Sequence, residues 1–182
     1  MIHEIETARL RLRHFTPGDL DSLCALFSDS EVVRYLGVEP GKTFSIAECE
    51  KVLHTSIEGW QKHGFSRWAI INKRLEKFAG LCGWRSSEGK PELLYVLTKE
   101  FWGMGLATEA AGACLRYGFE ELHFDSAIAV TRPEHHASRR VLEKIGMSFE
   151  GVMSQSGIEA ATYALTKERF CPDKAAYVLH PV

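Results

Sequence analysis

The sequence of 182 residues has no apolar run approaching the length of a bilayer span, so no transmembrane helix is expected. It has no stretch of like charge either: 22 Lys and Arg stand against 24 Asp and Glu, for a formal charge of -2. That balance gives no basic footprint, and nucleic acid is not expected as a partner. Five cysteines, at 24, 49, 82, 114 and 171, are odd in number and never spaced C-x-x-C. They read as reduced, buried thiols of a cytoplasmic protein, not as a disulfide framework. No H-E-x-x-H and no cysteine cluster is present, and the adjacent His135 and His136 of a helix start point in different directions, so no metal is expected. The residues from Met1 to Glu6 lack a basic start and an apolar core, which argues against a signal peptide. There is no repeat, low-complexity tract or interdomain linker. With 45% hydrophobic and 25% charged residues, the chain suits one globular domain over 1–182.

What is present alternates strands and helices. Leu10-Arg11-Leu12-Arg13 alternates as a strand with one buried face, and Arg9, Arg11 and Arg13 on its other side read as a solvated face. Thr16 and Pro17 open a helix with Leu20, Leu23, Cys24 and Phe27 on one stripe. Ser45 and Glu48 match a capping box before a helix that runs to about Lys62, where Gly64 ends it. Strands are expected at Phe65–Ile71 and Phe78–Trp84, then at 92–97 and 127–130, then at Met147–Val152 and Ala160–Leu165. The run 127–130 is apolar throughout, follows a crossover helix, and should lie parallel to 92–97. The expected fold is α/β, with about seven strands in a mixed, mostly antiparallel sheet flanked by helices.

The stretch from Glu92 to Leu122 reads as strand, glycine-bearing loop and helix. The first N–H groups of a helix lack internal partners and the helix dipole adds positive character, while glycines let a ligand come close. Such an arrangement suits phosphate or pyrophosphate. No Gly-Lys-Ser/Thr is present for a Walker loop. A dinucleotide fingerprint would need a third glycine where Thr108 stands, and an acidic residue where the chain has Thr131-Arg132-Pro133. Trp102-Gly103-Met104-Gly105-Leu106-Ala107 fits the coenzyme A loop pattern Arg/Gln-x-x-Gly-x-Gly/Ala, with Trp at its first position.

That loop resembles the GNAT N-acetyltransferases, and Trp-Gly-x-Gly-Leu-Ala-Thr-Glu-Ala resembles the branch typified by ribosomal-protein N-terminal acetyltransferases. Arg132-Pro133-Glu134-His135-His136-Ala137-Ser138 through Val141-Leu142-Glu143-Lys144-Ile145-Gly146-Met147 is a second match, with His135 where Asn is usual. Thr7-x-Arg9-Leu10-x-Leu12-Arg13 and Tyr163-Ala164-Leu165-Thr166 extend the resemblance over nearly the whole chain.

The resemblance implies a sheet splayed between 92–97 and 127–130, with acetyl-coenzyme A as cosubstrate. The backbone amides from Gly103 through Met104, Gly105, Leu106 and Ala107 to Thr108 would hold its pyrophosphate. Tyr95, Val96 and Leu97 would pair with pantetheine, and His135 and Ser138 would lie near its thiol end. A primary amine, of a protein N-terminus or a small molecule, would attack the thioester directly. Glu92 is the candidate base, or else a strand-start carboxylate. Leu142 stands where many relatives carry a tyrosine acid, and Ser138 is the candidate in its stead, or else a first-turn residue satisfying backbone amides. Trp60, Trp68, Trp84, Tyr35 and Phe44 read as core or as an acceptor pocket. The alternative is a coenzyme A sensor that is weakly active or inactive. Monomer and homodimer are both open.

Overall fold

The computed structural model describes residues 3–37, 39, 41–155, 158–172 and 175–182. Nine strands form one sheet among these residues, in the order β7-β8-β6-β5-β4-β3-β2-β1-β9. They are β1 His3–Thr7, β2 Leu10–Arg13, β3 Arg67–Asn72, β4 Lys77–Ser87, β5 Lys90–Leu97, β6 Ser126–Thr131, β7 Ser148–Gln155, β8 Ile158–Thr166 and β9 Tyr177–Pro181. Only β5 and β6 are parallel neighbours. The expectation of about seven strands is corrected by β1 and β9, which pair with each other from His3–Pro181 to Thr7–Tyr177. Both are five residues long, and β1 has a single apolar residue, Ile5, so neither shows a periodicity that stands out. The Gly157 turn and Pro40 lie outside the described residues.

Among the described residues five α-helices accompany the sheet: α1 Leu20–Ser28, α2 Ser30–Val33, α3 Ile46–His63, α4 Leu106–Glu120 and α5 His136–Lys144. The Ser45–Glu48 capping box forms, and Gly64 closes α3 in the left-handed conformation at φ 74°. Thr16 and Asp19 also form a box, and Arg13 donates two hydrogen bonds to Asp19. One core lies between the sheet and α4 and α5, with Leu93, Ala110, Ala111, Cys114, Ala127 and Ala129 in it. Small residues on α4 let the helix lie close to the strands. The second core holds Leu23, Phe27, Cys49 and Leu53 of α1 and α3, which cover Ala69 and Leu81. Alternation along β5 divides its side chains between these faces: Leu93, Tyr95 and Leu97 go to α4 and α5, and Leu94 and Val96 to α1 and α3.

Cys49, Cys82 and Cys114 are buried thiols, but Cys171 is exposed and Cys24 half-buried. The expectation of uniformly buried cysteines therefore fails at Cys171, which follows the last helical turn where the chain leaves the core. Trp60, Trp68 and Trp84 are core residues, with Trp68 fully shielded.

Candidate active site

The parallel pair β5–β6 is joined at only two positions, Glu92–Ile128 and Leu93–Ala129. On its other side β5 stays paired with β4 as far as Gly80–Leu97. From Leu94 onward β5 therefore leaves β6 while keeping β4, and a wedge opens toward the carboxyl end of β5. Leu94, Tyr95 and Val96 are half-exposed along it. A strand edge with unpaired N–H and C=O groups can accept another extended backbone.

The wedge leads to the loop before α4. Gly103 and Gly105 adopt φ of 73° and 76°, the region that side chains disfavour. The first amide of this segment with a backbone acceptor is Glu109, which donates to Gly105 O at 3.1 Å. None of the six N–H groups from Gly103 to Thr108 donates a hydrogen bond among the described residues. Unclaimed amides at the positive end of a 15-residue helix form an anion cradle. Trp102 is anchored beside it, its Nε1 donating to Leu97 O at 2.9 Å. Farther along, a groove of about 180 Å3 between α4 and the end of α5 is lined by Thr108, Gly112, Arg116, Lys144 and Arg169.

Arg9 and Glu109 fix this loop, a role the sequence reading did not assign to either. The Glu109 carboxylate accepts from Thr7 Oγ1 at 2.6 Å, Arg9 N at 2.8 Å and Arg9 Nε at 2.6 Å. Arg9 Nη1 donates to Met104 O at 2.8 Å, between the two glycines. Arg11 and Arg13 also have acidic partners, Glu76 and Asp19, so the expected solvated face is a row of ion pairs. Thr7, Arg9 and Glu109 all stood within noticed motifs, but their pairing spans about a hundred residues and left no local trace. Burial works to raise the Glu109 pKa, yet the bonds from Thr7 and Arg9 hold it below its usual value. A depressed carboxylate stabilises the fold above its ordinary range and loses that contribution as pH falls through the folded value. Glu109→Gln should lower stability by about 2 kcal/mol at neutral pH, with the gap from wild type narrowing in acid. Urea unfolding at several pH values reads both effects, and a gap that does not change with pH would contradict the assignment.

At the wedge itself, Tyr95 reaches across from β5 to α5. Its hydroxyl lies 2.9 Å from Ser138 Oγ and 3.0 Å from Ser138 O, the latter as acceptor. Burial raises the phenol pKa, with the Ser138 bond opposing, so Tyr95 stays protonated. His135 precedes α5 and its ring stacks on Tyr35 at 4.1 Å, with planes 19° apart. Burial lowers the His135 pKa, which Glu134 partly offsets, leaving a neutral imidazole at neutral pH. Tyr35 thus packs on the candidate residue His135, whereas Phe44 stacks on Phe27. Leu142 is a core residue.

Glu92 lies apart from the Tyr95–Ser138 pair. Its neighbours in sequence settle its face: it shares a side with Leu94 and Val96, toward α1 and α3. Its side chain is 3% exposed and accepts from Arg85 Nη2 at 2.5 Å. The predicted residues therefore fall into two groups, one on each face of the wedge.

Comparison with known proteins agrees with this geometry. Residues 9–148 match the acetyltransferase (GNAT) domain family. The uncharacterized N-acetyltransferase YoaA of Bacillus subtilis is 31% identical over 174 residues, covering 91% of this chain and 97% of that protein. An acetyltransferase (GNAT family) structure from Bacillus anthracis superposes with a TM-score of 0.77 at 27% identity, over 91% of this chain and 99% of the other. RimL, a ribosomal L7/L12 alpha-N-protein acetyltransferase solved with coenzyme A, has the same fold, with a TM-score of 0.74 at 19% identity over 88% of this chain and 95% of the other. The chain belongs to the GNAT acetyltransferases. It is an acetyl-transferring enzyme with the N-acetyltransferase fold of that family.

Proposed function

We propose that this single-domain chain moves an acetyl group from acetyl-coenzyme A to a primary amine by direct attack, as a cytoplasmic monomer or homodimer of the RimJ/RimL-like branch. The observation that carries this reading is the run of unclaimed amides from Gly103 to Thr108 at the end of an unpaired strand edge. The pyrophosphate takes those amides, and pantetheine pairs with Tyr95, Val96 and Leu97 along the wedge. The cations Lys144 and Arg169 of the adjoining groove suit the remaining phosphate charge.

The residues then divide the chemistry between the faces. The acceptor amine must lose a proton before its lone pair attacks, and α-amines, with a pKa of about 8, need less help than lysine-like amines at about 10.4. Glu92 takes this proton, directly or through water, from the α1–α3 face. A backbone N–H of the 95–97 segment meets the developing oxyanion. Ser138 Oγ donates to the departing thiolate from the α5 face, and Tyr95 supports it. His135 accompanies the thiol end, and its ring is held by Tyr35.

The test is release of free thiol on adding acetyl-coenzyme A and a panel of amines, with mass spectrometry reading the gain of one acetyl group. Tight coenzyme A binding with no thiol release from any amine would sink the catalytic reading and leave a sensor. Within an active panel, Glu92→Gln should abolish the alkaline rise of kcat/KM. The same profile in wild type and variant would remove Glu92 as base.

A further inference from the structure

Arg67 is anomalous on the α1–α3 face. It opens β3, and its Nη2 donates to Thr55 Oγ1 of α3 at 2.6 Å. Its Nε is buried and donates to nothing. No carboxylate lies within ion-pairing distance of it among the described residues, whereas Arg9, Arg11, Arg13, Arg85 and Arg116 each have one. A shielded charge without a counterion is costly, and a guanidinium cannot escape that cost by losing its proton. Burial, and then the neighbouring charge of Arg85, push its pKa down to about 10, still well above neutral pH.

The position of Arg67 explains what it lacks. Arg67 pairs with Gly83 on β4, and Gly83 pairs with Leu94 on β5. Leu94 is the first β5 residue beyond the last contact with β6, so Arg67 stands two strands, about 10 Å, from the point where the wedge opens. Gly83 carries no side chain to cover the sheet between them. A Cβ there would come within 2.7 Å of Arg67 Cα and 2.5 Å of Ser66 O. Arg85 lies opposite Glu92 in the same register and faces the same way. Two guanidinium groups and one carboxylate therefore share this patch, one positive charge in excess, beside the face from which the amine approaches.

We propose that Arg67, with Arg85, binds an anionic group of the acceptor, so that the natural acceptor is a small amine that also carries a carboxylate or a phosphate. This rests on the proposed acetyl transfer and narrows its acceptor. The anion would meet Arg67 at its Nη edge, and a small turn of the guanidinium would bring the buried, unpaired Nε–H into the same fork. The anion would complete the patch without disturbing the Arg85–Glu92 pair, and would anchor the acceptor by the end that does not react. A protein N-terminus presents such a group beside its amine only where its first residue is acidic.

The experiment uses matched probes on the full chain loaded with coenzyme A, followed by NMR titration so that binding is read apart from turnover. Free α-amino acids are paired with their amides, and O-phosphoethanolamine with ethanolamine. In at least one pair the anionic member should bind about tenfold tighter or better. The pair that responds tells carboxylate from phosphate. Raising the salt concentration should erode that preference in wild type. Arg67→Met should reduce it to about twofold or less with coenzyme A affinity unchanged, and Arg67→Lys should restore part of it. Neutral members binding as well as anionic ones in every pair, or a preference surviving in folded Arg67→Met, would overturn the proposal. If Arg67→Met does not fold, Arg67→Lys and the salt series decide on the same terms. Binding of an anionic probe without thiol release would leave this site standing and end the transferase reading instead.

Discussion

Replacement of Gly105 by valine should weaken coenzyme A binding about a hundredfold or more, measured by calorimetry on the folded variant. Gly105 holds φ 76° at the residue before α4. A β-branched side chain there is a genuine outlier, strained by about 1–3 kcal/mol. The chain relieves that strain by rotating φ to negative values, which turns the amides of Leu106 and Ala107 out of the cradle. The nearest atom to an added Cβ is Arg9 Nη2 at 3.6 Å, an ordinary contact for the Cβ itself, so it is the γ carbons of valine that would press on the arginine tying Met104 down. Gly103→Val tests the conformation alone, because nothing lies within 4 Å of its added Cβ. Both variants should lose affinity and Gly105→Val should lose more. Affinity within about threefold of wild type in both would mean that these amides do not meet the pyrophosphate.

Ser138→Ala should lower kcat about a hundredfold or more, the range of a general acid, with coenzyme A affinity unchanged. Ser138 is the one hydroxyl on the first turn of α5 that faces β5, and the Tyr95 phenol meets it at 2.9 Å. Burial keeps Tyr95 protonated, and its O–H, which points to Ser138 O, would swing to Ser138 Oγ as the serine gives its own proton to sulfur. Tyr95→Phe should then lower kcat by less than the serine variant, and the two losses should not add, since both residues act on one proton. Full turnover by Ser138→Ala would return the residue to a purely structural role. Full turnover by Tyr95→Phe alone would leave Ser138 unsupported but still the donor.

The frame of this site was legible in the sequence because its signals are local. The loop from Trp102 to Thr108 carries both its glycines within three residues, and the apolar run of β6 declares a strand by composition, although the burial expected of both its faces fails at Val130, which is 42% exposed beyond the last pairing with β5. The capping box at Ser45 and the stop at Gly64 are written within three or four residues of the helix ends they set. Other features depend on partners far along the chain. Arg9 meets Glu109 across 100 residues, and Tyr35 meets His135 across a similar span. No periodicity announces either pair. Arg67 is harder still, because its significance is the absence of a counterion among the described residues, which only folding reveals. The edge strand β9 and its neighbour β1 were missed for a related reason: the ladder between them joins the two ends of the chain.

Two residue pairs are all that stitch β6, β8 and β7 to the rest of the sheet through its backbone. The sheet is thus two wings sharing a short backbone seam, with α4 lying over the joint, contacting α5 on the far side, and one continuous core beneath it. A cosubstrate lodged in the opening would act as a splint, replacing missing ladder bonds with its own amides. Part of its binding energy would then go into stiffening the joint, and the empty protein would be the looser of the two forms.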